Sequence, residues 1–276
     1  MIEITGKTAL YCILADPIAQ VRTPQLVNRL LREQGTDGVM VPMHVPPGHL
    51  SEVTRALRHA RNFKGMVVTV PHKMAMLPLC DAVEGHAAAI GAVNVVRREP
   101  DGRLVGGMLD GLGFLRGLVR RGAVVAGARV YMAGAGGAAS AIAYALAGAG
   151  IGGLTIANRS RARIDELAAR LHATYPGLPV RAGTADPSGH DIVINATSLG
   201  MAQGDPLPLD AGRLEPGQWV ADIIMDPAET ALLARARERG CHLYGGAGML
   251  DGQVADMVAF FGGALPAEDS GAQACD

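Results

Sequence analysis

Short apolar runs alternate with amphipathic stretches along the whole chain. Thr8–Leu14, Gly38–Val45 and Gly65–Val70 read as strands. Helical spacing occupies Pro24–Glu33, where Leu26, Val27, Leu30 and Leu31 share one side, and Leu50–Ala60. Residues 92–97 and 103–107 read as a strand pair around a turn at Asp101-Gly102, and Asp110–Arg121 as a helix with Asp110 at its N-cap. A second series follows, with strands at Ala128–Ala133, Leu154–Ala157, Asp191–Asn195 and Trp219–Asp222. Its helices are expected at 138–147, Arg161–Ala173, Glu229–Arg239 and, last, 249–261. This alternation predicts an α/β protein with mostly parallel sheets in two domains. The first covers 1–106, the second 107–244, and 245–276 packs back onto the first, its final stretch from 264 reading as a frayed tail.

Composition narrows the classes. Of 276 residues, 49% are hydrophobic and 18% charged, which excludes intrinsic disorder for the bulk of the chain. A formal net charge of −1 gives no reason to expect nucleic acid or a membrane surface as partner. The uncharged stretch Val130–Asn158 is long enough to span a bilayer, but its seven glycines divide it into short runs better read as a βαβ unit. No basic segment followed by an apolar one marks the N-terminus as a signal peptide, so a cytoplasmic protein is expected. Cysteines at 12, 80, 241 and 275 lie too far apart for a CxxC site, and no metal is expected. A small-molecule substrate is the expected partner, with the chain a monomer or homodimer.

The sharpest local signal is Gly134-Ala135-Gly136-Gly137-Ala138-Ala139, a G-x-G-x-x-A turn between a strand and a helix. Gly134 permits the tight turn, and Gly136 lets a pyrophosphate approach the amides of the helix N-terminus. The bland alternative is a glycine-rich turn that binds nothing. The next strand runs into Ala157-Asn158-Arg159-Ser160-Arg161-Ala162-Arg163, with no acid before Asp165. An NAD site usually has an acid about 20 residues on, against the ribose 2′-hydroxyl. Here three arginines, Arg159, Arg161 and Arg163, and Ser160 sit where a 2′-phosphate would lie, with Arg159 the principal discriminator, which favours NADP and leaves NAD possible; the alternative is a solvated helix start. Thr197 and Ser198, past the strand that ends at Asn195, stand where ligands bind open α/β sheets, though a turn closed by local hydroxyl bonds reads as well.

Only three basic residues are lysines, and Lys73 lies just past the strand at 65–70. Asn94 ends an apolar run and Asp110 opens a helix. Three polar residues at element ends suit a single cleft, where a partly desolvated lysine becomes a usable acid or base near neutral pH. Spacing alone equally allows a surface lysine, a turn asparagine and a plain cap.

Taken together the motifs resemble the shikimate dehydrogenase family across nearly the whole chain. They include Pro24, Val68-Thr69-Val70-Pro71-His72-Lys73, Gly91-Ala92-Val93-Asn94 and Asp110-Gly111-Leu112-Gly113. The turn at 134–139, Asn158-Arg159, Asn195-Ala196-Thr197-Ser198-Leu199-Gly200-Met201 and Gly248-Met249-Leu250 through Gln253 continue the series. The resemblance implies a substrate domain followed by a Rossmann domain, and NAD(P)-linked oxidation of a ring alcohol on a shikimate- or quinate-like acid. It implies Lys73 and Asp110 as the catalytic pair, Thr69, Asn94 and Gln253 as holders of ring hydroxyls, and Gly248 beside the cofactor.

Four departures stand out. The family's first loop usually reads His-Ser-x-Ser-Pro, its serines gripping the substrate carboxylate; here it is Gln20-Val21-Arg22-Thr23-Pro24. Val21 has no hydrogen-bonding group, Thr23 keeps a hydroxyl, and Arg22 adds a charge able to pair with a carboxylate. The usual Asn-Thr before Asp110 is Met108-Leu109, and a usual tyrosine is Met225. The pattern implies intact redox chemistry with a different or broader substrate. The alternatives are a methylene-tetrahydrofolate dehydrogenase-like enzyme, which fits the ordered motifs less well, and a silent ligand-binding member, which retention of Lys73 and Asp110 disfavours.

Overall fold

A computed structural model describes residues 3–262; the expected tail from 264 lies outside them. These residues divide into two compact units. One gathers the chain up to Leu109 together with residues from Gln253 onward, and the other covers Asp110–Gly252.

The first unit runs β1 (Ala9–Ala15), α1 (Thr23–Glu33), β2 (Gly38–His44), α2 (Leu50–His59), β3 (Phe63–Val68), α3 (Lys73–Met76), β4 (Ala82–Val83), α4 (Ala87–Ile90), β5 (Val95–Arg98) and β6 (Leu104–Gly107). Its sheet has the order β2-β1-β3-β5-β6-β4. Strands β1, β2 and β3 are parallel, as are β4 and β6, while β5 is antiparallel to both neighbours, so the sheet is mostly parallel, as expected, with one antiparallel strand. The reason is local. The turn at 99–103 is closed by Glu99 and Arg103 and is too short for a parallel crossover. Pro42 sits in edge strand β2, where a missing N–H costs no ladder bond on the open side.

The second unit runs α5 (Asp110–Val119), β7 (Arg129–Ala133), α6 (Gly137–Gly148), β8 (Gly153–Ala157), α7 (Arg161–Thr174), β9 (Val180–Ala182), β10 (Ile192–Asn195), β11 (Trp219–Asp222), α8 (Ala231–Glu238), β12 (His242–Tyr244) and α9 (Gly246–Asp251). Its sheet is wholly parallel, in the order β12-β11-β10-β7-β8-β9. That is the doubly wound dinucleotide-binding order, and the direction of winding reverses between β7 and β10. The buried runs Val130–Ala133 of β7 and Ile192–Ile194 of β10 are covered on both faces, which is why they are apolar.

The last helix, α10 (Val254–Phe261), belongs to the first unit and packs on α1, β3 and β5. The single helix expected over 249–261 is therefore two. The break falls at Gly252, where an added Cβ would stand 2.3 Å from the Gly113 carbonyl oxygen. Helix α9 remains with the second unit, because Gly246 packs on the Ile223 and Ile224 carbonyls and Gly248 on Tyr244. Asp110 is the first helical residue of α5 rather than its cap. The strands β4, β9 and β12, with two or three residues each, are too short to leave a period in the sequence.

Candidate active site

In the first unit the polar candidates gather at the carboxyl ends of β1, β2 and β3, where open α/β sheets bind ligands. Thr69 follows β3, is half-buried, and donates its N–H to the Leu14 carbonyl at 3.0 Å. His72 is 1% exposed and bonds the Val45 carbonyl through Nε2 at 2.8 Å. A carbonyl only accepts, so Nε2 carries the proton and the ring is a structural tie. That tie fixes the chain where Lys73 opens α3. Lys73 is half-buried, and its carbonyl accepts from Val93 N at 2.9 Å, bringing its backbone beside Asn94.

Asn94 is 1% exposed and is the hub of the group. Its Oδ1 accepts from Leu109 N at 2.8 Å, and its Nδ2 donates to Gln253 Oε1 at 3.2 Å. Thr69, Lys73, Asn94 and Gln253 thus share one end of the first unit. Asp110, 3% exposed, follows Leu109 directly in the chain and is the first residue of the second unit. In the first loop Val21 is half-buried, Arg22 is exposed at the start of α1 without a side-chain cap bond, and Thr23 is buried. A pair that the sequence did not reveal, His44 and Asp16, bonds at 2.7 Å across the ends of β2 and β1.

In the second unit the glycine turn leaves β7 at the point where winding reverses. Gly134 adopts φ +113°, and a Cβ there would lie 2.7 Å from the Ala196 carbonyl oxygen. Only glycine fits that approach. Gly136 has nothing within 4 Å of the place its Cβ would occupy, and it caps α6 without any side-chain bond. The first-turn amides of this twelve-residue helix are therefore free of a side-chain partner and open to an anion. Ala135 is buried, while Gly137 and Ala138 line the opening of the helix.

Past β8, Asn158 turns its amide to the Ser160 carbonyl at 3.0 Å, and Ser160 caps α7. Arg161 pairs with Asp165 at 2.9 Å along the helix. Arg159 and Arg163 are exposed and carry no ion pair among the described residues. Two cations thus remain for a phosphate. Thr197 spends its hydroxyl on Asn195 Oδ1 at 2.7 Å, the local closure that the sequence left open, and Ser198 is exposed. Gly248 is buried against Tyr244, whose hydroxyl donates to the Phe114 carbonyl at 3.2 Å.

Two protein-family models match the chain. One is the shikimate dehydrogenase substrate binding domain, over residues 13–96, and the other shikimate / quinate 5-dehydrogenase, over residues 119–201. A shikimate dehydrogenase (NADP(+)) from Moorella thermoacetica is 43% identical over 259 residues, 91% of this chain and 86% of its own.

The chain belongs to the shikimate dehydrogenase family.

It is thereby an oxidoreductase by family. Solved structures agree on the fold. A shikimate 5-dehydrogenase from Thermus thermophilus, in complex with NADP(H) and shikimate, aligns with a TM-score of 0.83 at 30% identity, covering 95% of this chain and 97% of its own. The ligand-free 5-ketofructose reductase of Gluconobacter sp. strain CHM43 aligns at 0.81 and 32%, covering 98% of each. Neither alternative class, the folate dehydrogenase nor the silent binder, is favoured by these matches. The motifs at Thr69–Lys73, Asn94 and 134–139 fall inside the matched spans.

Proposed function

We propose that the protein is an NADP-dependent oxidoreductase that interconverts an alcohol and a ketone on a shikimate- or quinate-like ring. The reading is carried by one observation: Thr69, Lys73, Asn94 and Gln253 stand together at the ligand-binding end of the first unit, with Asp110 opening the second. Asn94 and Gln253 bring side-chain amides to this end, and Thr69 a hydroxyl, groups that suit a ring carrying several hydroxyls. Lys73 carries the proton to or from the reacting oxygen, and Asp110 orients the lysine.

The glycine turn fits a dinucleotide. Gly134 makes room against Ala196, Gly136 leaves the α6 amides open, and Arg159 and Arg163 are available for a 2′-phosphate. When bound, NADP supplies the hydride acceptor or donor. The Moorella relative is named for NADP(+) and the Thermus structure holds NADP(H), which supports NADP over NAD here. The chain is read as acting on a small molecule in the cytoplasm, as monomer or homodimer, with no nucleic-acid or membrane partner. No described helix is long and apolar enough to cross a membrane.

A second reading concerns the substrate. Val21 stands where the family places a carboxylate-gripping serine, and a protein of similar structure, 32% identical, is named for 5-ketofructose, not for an acid. We read shikimate as a poor substrate for this chain. Initial rates with shikimate, quinate and cyclic ketoses, each with NADP(H) and NAD(H) and followed at the reduced-nicotinamide absorbance, test both readings. Turnover with NADP(H) on at least one of them is expected. No turnover on any would overturn the first reading, and a shikimate efficiency ordinary for the family would overturn the second.

A further inference from the structure

Asp222 is a carboxylate with no part in the chemistry above, and it is 0% exposed. It ends β11 in register with Asn195, which ends β10. Its Oδ1 accepts from Asn195 Nδ2 and from Ile224 N, both at 3.1 Å, and its Oδ2 accepts from the Thr230 hydroxyl at 2.7 Å. No cation pairs with it among the described residues. Burial raises its pKa, and the three donors oppose that rise. A buried carboxyl group held only by neutral donors is costly, and such groups persist where something depends on them.

What depends on this one is the anchoring of a hydrogen-bond chain. Asp222 Oδ1 holds the Asn195 NH2, whose orientation agrees with the bonds it makes to the backbone of its own loop. Asn195 Oδ1 lies on the opposite side, where it accepts from Thr197 N at 3.0 Å and Thr197 Oγ1 at 2.7 Å. The Thr197 proton being spent, its oxygen accepts from Leu199 N at 3.1 Å, and Asn195 Nδ2 also reaches the Leu199 carbonyl at 3.0 Å. The loop closed by these bonds contains Ala196, whose carbonyl oxygen faces Gly134 at the close approach described above.

We propose that Asp222 is a positioning residue for the cofactor: by anchoring the Asn195 NH2 at the head of the chain through Asn195, Thr197 and Leu199, it holds the 195–199 loop at the distance the glycine turn needs to admit the dinucleotide phosphates. The inference rests on the reading of the turn at 134–139 as the NADP site.

Calorimetric titration of NADP into four variants, with initial rates at fixed shikimate, tests it. Asp222→Ala removes the anchor of the Asn195 NH2 at the end of β11. It is expected to raise the Kd and KM for NADP about tenfold, while the rate at saturating NADP stays within about twofold. Asp222→Asn restores an acceptor at Oδ1 and is expected to return most of the affinity. A folded Asp222→Ala protein that binds NADP within about twofold of wild type would overturn the proposal. Should Asp222→Ala fail to fold, Thr230→Val, which removes the donor to Oδ2, decides: several-fold weaker NADP binding supports the role and unchanged binding refutes it. Gly134→Val separates the two levels. Wild-type NADP binding by Gly134→Val would remove the cofactor reading and this inference with it, whereas lost binding there beside unchanged binding in Asp222→Ala would remove this inference alone.

Discussion

Asn94 donates its side-chain amide to Gln253 Oε1 at 3.2 Å, joining residues 159 positions apart in the chain. The bond brings the start of the terminal helix to the strand ends where Lys73 and Thr69 stand. It also spends a donor of Asn94 and an acceptor of Gln253 inside the protein, so what remains for a ligand is limited and directional.

Lys73→Ala is expected to lower turnover by about 10²–10⁴-fold, the usual cost of losing a general acid or base. NADP affinity should be nearly unchanged, because Lys73 belongs to the first unit and the glycine turn to the second. Stopped-time assays beside calorimetric titration measure both. Wild-type turnover in the mutant would remove Lys73 from the chemistry.

Arg159→Ala should weaken NADP much more than NAD. Arg159 is exposed beside the Ser160 cap and has no acid competing for it, whereas Arg161 is already paired with Asp165. A charge-assisted hydrogen bond to a phosphate contributes about 1.5–3 kcal/mol, or roughly ten- to a hundredfold in the Kd for NADP. Equal losses for the two cofactors, or a wild-type preference for NAD, would refute the assignment.

Val21→Ser should lower the KM for shikimate if the missing hydroxyl limits carboxylate binding. An unsatisfied polar group costs about 1–3 kcal/mol, which corresponds to roughly ten- to a hundredfold in affinity. Arg22→Ala separates the alternative. Severe loss on the native substrate would mean that Arg22, exposed at the start of α1, has taken over the acid.

The Arg97 guanidinium grips both Glu84 oxygens, donates through Nε to Glu99 at 2.7 Å and lies 4.9 Å from the Phe260 ring centre. The hydrogen bond from Arg97 holds the Glu84 carboxyl below the usual carboxylate range. A depressed carboxylate stabilises the fold above its unfolded pKa of about 4.3, and the contribution is lost as pH falls through and below that value. Glu84→Gln should therefore lower stability by about 1–2 kcal/mol at neutral pH and flatten the acid limb, read as Tm from pH 3 to 7.

Much of the fold was legible because the strands carry their own signatures. Buried runs such as Met66–Val68 and Ile192–Ile194 announce themselves, and the glycine turn between β7 and α6 identifies the second unit by its context. The antiparallel β5–β6 pair was visible as two runs around Asp101-Gly102, but the mixed character of the whole sheet depends on which strands become neighbours, and no local period carries that. The break at Gly252 was hidden for a similar reason: a glycine inside an apolar helical pattern reads as tolerated until the Gly113 carbonyl is found against it. Of the site, Lys73, Asn94 and Asp110 were visible as polar residues at element ends. Asp222 was not, although an acid between Val220-Ala221 and Ile223-Ile224 is a buried-carboxylate signal. Asp16 and His44 become partners only through the parallel register of β1 and β2.

The return of α10 to the first unit has a consequence for synthesis. Gly65 and Gly107 leave bare backbone that the rings of Phe261 and Phe260 fill, and Arg97 lies over the latter. On the ribosome this face is made before the second unit, yet its cover is translated only after it. Domains ordinarily complete themselves in the order they emerge. Here the cofactor half can close while the substrate half still waits, its apolar flank open to other nascent chains until residue 261 has cleared the exit tunnel. A chain cut short before α10 would lose the half of the protein farthest from the cut in sequence.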